Sequence, residues 1–248
     1  MPEITGRIKE IAELTARYES KKAEFIAVYG RRRVGKTFLI KEFFHNRFAF
    51  QHTGLSQVEK SSGKKEEQLT KFFYSLQQYG WEENSIPSSW LEAFFFLQQL
   101  LTGKDDGKRQ VVFIDELPWM DTPGSGFITA LESFWNGWCN GRDNIMLVVC
   151  GSATSWILGK FFRNKGGLYG RITSEIKVSP FTLKECESYF VSEGIELSRY
   201  DIVQSHMVFG GRPYYLSYFQ KGLSFEANVD NILFGARQKL KDEFARLF

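Results

Sequence analysis

Gly30-Arg31-Arg32-Arg33-Val34-Gly35-Lys36-Thr37, preceded by the apolar run Phe25-Ile26-Ala27-Val28-Tyr29, decides how the rest of the chain is read. The octapeptide satisfies G-x-x-x-x-G-K-[ST], in which glycines let the backbone curl so that successive N–H groups converge on one phosphate. A helix opening near Lys36 would add the positive end of its dipole at the same place. Lys36 is then expected to reach the β- and γ-phosphates of a nucleotide, and the Thr37 hydroxyl to hold Mg²⁺. At average residue usage a chance match arises in roughly 1% of chains this long, and here the motif lies where it must, between a buried-strand run and a helical pattern. Gly30 to Thr37, with Phe38 directly after, form the expected nucleotide-binding segment. Arg31, Arg32 and Arg33 either help to neutralise the nucleotide or make a solvated basic loop.

Asp115-Glu116 ends the next buried run, Val111-Val112-Phe113-Ile114. In a Walker-B arrangement the strand delivers Asp115 to the magnesium, directly or through water, and places Glu116 to polarise the attacking water. The alternative is an acidic pair that caps the turn before Pro118. A strand candidate at residues 47–52 (RFAFQH) falls between the two motifs, which points to the additional-strand class of P-loop proteins with a catalytic glutamate. Ile145 to Cys150 is a further apolar strand and ends in Gly151-Ser152. Ser152 can sense the γ-phosphate or the attacking water, or it can cap a helix starting near Thr154. Arg171, in LYGRITSEI, precedes a fifth strand candidate, Ile172 to Val178. It reads as a γ-phosphate sensor, as a finger supplied to a neighbouring subunit, or as a plain surface arginine.

Around these motifs helical spacing marks residues 6–20, with Ile8, Ile11, Leu14 and Tyr18 on one face, and residues 38–44, 63–80, 89–102 and 126–139. Short apolar strands alternating with helices imply an α/β fold, a parallel sheet covered on both faces. After Pro180 the pattern is helical only, over 181–193, 199–208 and 212–221. The expected organisation is a P-loop core over residues 1–180 and a small helical lid over 181–248. Gly210-Gly211-Arg212-Pro213 lies between two lid helices, and a helix-breaking turn explains it fully. The helical pattern is still running at ARLF, residues 245–248, as expected of a piece of something longer.

Composition narrows the classes. In 248 residues the hydrophobic share of 43% and charged share of 25% are those of a globular protein, and the net charge of +3 is too small to argue for a nucleic-acid binder. Cys139, Cys150 and Cys186 are scattered, with no CxxC pair, which fits reduced thiols in a cytoplasmic protein and offers no metal site. No apolar run approaches the roughly 18 residues that span a bilayer. The 24 phenylalanines predict an aromatic core or an aromatic docking face. His45, His52 and His206 are isolated and read as structural, and Trp119, Trp135 and Trp138 as core packing.

Taken together, these residues resemble the archaeal-type ATPases of the STAND branch of the AAA+-related P-loop proteins, over almost the whole chain. GRIKEIAEL (Gly6 to Leu14) is similar to that family's N-terminal element near the adenine, and GRRRVGKT and FIDELPWM to its phosphate loop and acidic strand. VVCGSATSWI resembles its sensor strand, LYGRITSEIKVSPF its arginine-bearing segment, and GGRPYYL its lid element. The resemblance implies that Arg7, Arg171, Gly211 and Pro213 lie near the nucleotide. It also implies ATP over GTP, with no guanine-reading NKxD motif in the chain, and ADP as the product. Family members commonly continue into a winged helix and a nuclease-like domain, which this chain lacks. The expected function is an ATP-driven switch in which hydrolysis with Mg²⁺ resets the lid. The alternatives are a nucleotide-gated DNA-binding or scaffold module, with a DNA or protein partner engaged through the missing region, and a small-molecule kinase, for which no second substrate site is visible. A homo-oligomer is compatible with each.

Overall fold

The computed structural model describes residues 4–56, 64–152, 154–157, 159–160, 167–168, 170–234 and 240, so the helical pattern read at residues 245–248 lies outside the described residues. The chain divides into two compact units. The larger comprises Ile8–Arg31 and Lys36–Val178 and includes the one-turn helix α6 (Thr154–Ile157). It is built on five parallel strands, β1 (Glu24–Tyr29), β2 (Phe50–Thr53), β3 (Gln110–Asp115), β4 (Ile145–Gly151) and β5 (Ser174–Lys177), in the spatial order β2-β3-β4-β1-β5. β4 therefore separates the strand that feeds the glycine loop from the strand that ends in Asp115, which is the additional-strand arrangement expected from the sequence. β1, β3 and β4 are buried along their whole length, because helices cover both faces of the sheet and neither face meets water.

One face packs on α3 (Lys65–Gln78), α4 (Trp90–Gly103) and α5 (Phe127–Gly137). Aromatic rings hold it: Phe25 against Trp135, Phe50 against Phe72, and Trp90 against both Phe72 and Phe127, with centroids 4.8–5.5 Å apart. Offset and edge-on pairs of this kind add about 0.5–1.5 kcal/mol each beyond the area they bury. On the other face Phe113 of β3 meets Phe48, which leads through Phe44, after α2 (Lys36–Phe43), to Tyr18 on α1 (Ile8–Glu19). The phenylalanine excess is thus spent mainly inside. On α1 the expected apolar face is only partly buried: Leu14 is inaccessible, while Ile8 is 80% exposed.

The smaller unit comprises residues up to Arg7, the segment Arg32–Gly35, and the chain from Ser179 onward. It contains α7 (Leu183–Ser192), α8 (Arg199–Phe209), α9 (Pro213–Leu216) and α10 (Phe225–Val229), and no strand among its described residues. α7 and α8 each begin with a capping box, Thr182 with Glu185 and Ser198 with Asp201. In such a pair two N–H groups that no helical carbonyl can reach are satisfied at once. Phe181, Phe190, Phe209, Leu216, Phe219 and Phe225 form its core. The helix expected over 212–221 is only Pro213–Leu216. The buried Asn228 amide captures both the N–H and the carbonyl of Gln220, at 2.7 and 3.3 Å, and so holds the backbone in a turn where the periodicity suggested more helix. Among the described residues no helix is long and apolar enough to cross a membrane.

Candidate functional site

Three strands end side by side. β1 runs into Gly30, β3 stops at Asp115, and β4, hydrogen-bonded to both, stops at Gly151 before Ser152. The carboxyl ends of parallel strands are where open α/β sheets bind ligands. In the glycine loop Arg33 and Gly35 adopt φ of 71° and 88°, the left-handed region. Such residues inside a turn point consecutive N–H groups to one side and make an anion-binding hollow. Lys36 opens α2 and is buried. Its Nζ donates to the carbonyls of Gly30 (3.0 Å) and Arg31 (3.1 Å), folding the ammonium back over its own loop. These two acceptors are weak partners for a cation, and the oxygens of a phosphate can replace them.

Thr37 Oγ1 donates to Asp115 Oδ2 at 2.8 Å, and the other carboxylate oxygen, Oδ1, accepts from the Glu116 N–H at 2.9 Å. Asp115 is 3% exposed. One hydroxyl and one carboxylate are hard oxygen donors suited to Mg²⁺, which takes few protein ligands and completes its octahedron with water and phosphate oxygens. Among the described residues no cluster of three His, Cys, Asp or Glu side chains could hold a metal by itself. The donor set therefore fits Mg²⁺ arriving with a nucleotide.

Glu116 follows with φ 46° and ψ 46°, a left-handed conformation at a non-glycine residue. Such backbone is unfavourable by about 1–2 kcal/mol and persists only where the surroundings impose it. Its carboxylate oxygen Oε2 accepts from Ser152 Oγ at 3.1 Å and from Ser152 N–H at 3.4 Å. Gly151 makes the approach possible, since a Cβ there would lie 2.8 Å from Pro118 and 3.0 Å from Ile157. On the other side Gln68 of α3, fully buried, bonds both the N–H and the carbonyl of Leu55 and the carbonyl of Trp119. It fastens the loop after β2 to the turn after Glu116. Sequence reading missed Gln68, because one polar residue on a helix has no pattern to betray it. Burial first, and the Asp115 charge second, push the Cys150 thiol well above its ordinary range, so it is a neutral packing group.

Lys36, Thr37, Asp115, Glu116 and Ser152 are thus brought together. Arg31 and Arg32 are exposed, and Phe38 carries an exposed ring on the first turn of α2. Arg7, Val34, Gly211 and Pro213 belong to the smaller unit. Arg7 is buried, with Nη2 on the Val34 carbonyl (2.8 Å), Nη1 on the Ser179 carbonyl (2.6 Å) and its guanidinium 4.7 Å from the Phe181 ring centroid. The Gly211 carbonyl accepts a 2.7 Å hydrogen bond from the Phe181 N–H, and Pro213 opens α9. Arg171 is exposed and is not brought to the strand ends of its own chain. β5 pairs Ser174 with Ile26, three residues or about 10 Å short of the end of β1, and Arg171 precedes Ser174. Strand register therefore sets Arg171 toward the end of the sheet opposite the carboxyl ends of β1, β3 and β4.

A family model described as an ATPase domain predominantly from Archaea matches residues 4–219. An uncharacterized protein of Methanocaldococcus jannaschii is 26% identical over 210 residues, 85% of this chain and 42% of the relative, so the chain spans less than half of that protein. Among solved structures, a Walker-type ATPase of Pyrococcus abyssi aligns over 98% of this chain and 75% of its own, with a TM-score of 0.68 and 20% identity. The ORC2 protein of Aeropyrum pernix, solved as ADPNP–ADP complexes, covers 88% of this chain and 61% of its own at a TM-score of 0.61 and 14% identity. At these identities the structural likeness shows the shared fold.

Proposed function

Because the chain belongs to the family of ATPase domains found predominantly in Archaea, we propose that it binds ATP with Mg²⁺, hydrolyses it to ADP and uses that cycle as a conformational switch. The observation that carries the reading is the contact of Thr37 Oγ1 with Asp115 Oδ2 at 2.8 Å, with Glu116 and Ser152 bonded to each other directly beyond it. That is a metal-binding pair and a water-activating pair at the mouth of a phosphate loop. In this reading Lys36 exchanges its two loop carbonyls for β- and γ-phosphate oxygens, and the loop N–H groups hold the β-phosphate. Thr37 and Asp115 hold Mg²⁺, which neutralises charge on the phosphate oxygens when bound. Ser152 pins Glu116 Oε2, and the attacking water is polarised by the remaining carboxylate oxygen, Oε1. The relatives bear on this by family and fold, and the Aeropyrum neighbour is described with nucleotide bound.

The test is ATP turnover with Mg²⁺ for the wild type, Glu116→Gln and Lys36→Ala, with nucleotide binding measured in parallel. A general base contributes about 10²–10⁴-fold, so Glu116→Gln should retain binding and lose turnover by at least the lower figure, whereas Lys36→Ala should lose binding. Wild-type turnover in Glu116→Gln would sink the mechanism. Stimulation by DNA in the same assay would move the reading to a DNA-coupled module.

A further inference from the structure

The apex of the phosphate loop is gripped from two directions by side chains of the smaller unit. The Arg33 guanidinium lies over the Tyr214 ring at 3.9 Å from its centroid, and the Tyr214 N–H reaches back to the Arg33 carbonyl at 3.5 Å. One residue along, the Val34 carbonyl accepts from Arg7 Nη2. Both grips are anchored. Tyr218 Oη donates to Tyr214 Oη at 2.6 Å, which steadies the ring. Arg7, itself at φ 56°, is set by Glu185, whose Oε1 accepts the Arg7 N–H at 3.3 Å. At Gly6, which holds φ 67°, a Cβ would lie 2.7 Å from that same carboxylate and would push Glu185 aside. Phe181, under the Arg7 guanidinium, is hydrogen-bonded to Gly211, three residues before Tyr214.

The gripped residue is the strained one. Arg33 holds φ 71° in the stretch whose curl turns the loop N–H groups inward. A free arginine there would relax toward negative φ and turn those donors away. We propose that Tyr214 is a positioning residue for the phosphate loop: its ring and N–H hold Arg33 in the left-handed conformation, with Arg7 steadying Val34 beside it, so that nucleotide affinity depends on how α9 is seated. This rests on the nucleotide-binding reading above but names a different residue and a different cause. It assigns Arg33 to shaping the loop through Tyr214 rather than to meeting phosphate with its charge.

The experiment compares Tyr214→Phe, Tyr214→Leu, Arg33→Ala and the double variant Arg33→Ala/Tyr214→Leu in the full chain. Titration with Mg·ADP is the first readout. Hydrogen exchange of the peptide covering residues 30–37, without nucleotide, is the second. Tyr214 is 37% exposed, so its replacements should fold. The ring face is kept by Phe and lost with Leu, and a cation–π contact of this kind corresponds to about a threefold to tenfold change in affinity. Tyr214→Phe, which keeps the ring face but loses the Tyr218 hydrogen bond, should fall between the wild type and Tyr214→Leu in both readouts. Tyr214→Leu should bind about threefold to tenfold more weakly and exchange faster over residues 30–37. The double variant should bind no more weakly than Arg33→Ala alone, because residues that act through one contact do not add. Wild-type exchange in Tyr214→Leu, or additive losses in the double variant, would overturn the proposal. If the wild type itself failed to bind Mg·ADP, the nucleotide reading would fall, and the exchange comparison would still decide whether Tyr214 shapes the loop.

Discussion

Gly210 and Gly211 stand side by side with nearly the same backbone, φ 63° and 62°, and should respond very differently to alanine. Gly210 ends α8, its N–H bonded to the His206 carbonyl, and a Cβ there meets nothing within 4 Å. Its substitution costs only the left-handed backbone, about 1 kcal/mol. A Cβ on Gly211 falls well inside contact with the Phe181 carbonyl oxygen and 2.9 Å from His206 Nε2. That is the same carbonyl that His206 Nε2 bonds at 3.0 Å, and the Phe181 N–H bonds the Gly211 carbonyl. Relieving the overlap means moving Phe181 and weakening both bonds. Overpacking of about 1–3 kcal/mol and about 1 kcal/mol for each weakened bond add about 4 kcal/mol to the backbone cost for Gly211→Ala. Because the backbone cost is common to both glycines, the expected gap between the neighbours is about 4 kcal/mol, a midpoint roughly 1–4 M lower in urea. Equilibrium urea unfolding followed by far-ultraviolet circular dichroism measures it. Coincident midpoints for the two variants would refute the packing argument. If Gly211→Ala instead weakened Mg·ADP binding without a shift in midpoint, the glycine would be serving the nucleotide and not Phe181.

Ser152→Ala removes the hydroxyl that holds Glu116 and should lower ATP turnover by about tenfold or more with nucleotide affinity unchanged; an unaltered rate would return Ser152 to a structural role. His52 is buried, with burial first and Lys71 second depressing its pKa to about 3. The unfolded chain then binds a proton that the folded chain refuses between roughly pH 6.5 and 3, so stability should fall by about 1.4 kcal/mol per pH unit as pH drops through that window. His52→Phe should flatten the slope, and a slope unchanged in that variant would contradict it. Arg171→Ala should leave nucleotide affinity untouched. If the arginine serves a second copy, mixing in the otherwise inactive Lys36→Ala chain should restore turnover, and no restoration would make Arg171 a surface residue.

The local chemistry was legible in the sequence because it is carried by short, contiguous signals. A fully apolar strand followed by G-x-x-x-x-G-K-T, a second ending in Asp-Glu and a third ending in Gly-Ser each mark where a buried strand stops, which is why the placing of Gly30 to Thr37, Asp115, Glu116 and Ser152 at strand ends was legible. Parallel strands buried on both faces and helices with apolar stripes likewise follow from period and composition alone. Tertiary structure decided what depends on register and on partners distant along the chain. The family resemblance implied that Arg171 lies near the nucleotide, yet the pairing of Ser174 with Ile26 sets it toward the amino-terminal end of the strands. Residues 212–221 looked helical, but a buried amide from Asn228 fixes a turn there. Arg7 acts on Val34 across 27 residues, and Tyr214 on Arg33 across many more. Nothing in the spacing of a sequence encodes such contacts, because they form only when the backbone has already brought the two segments together.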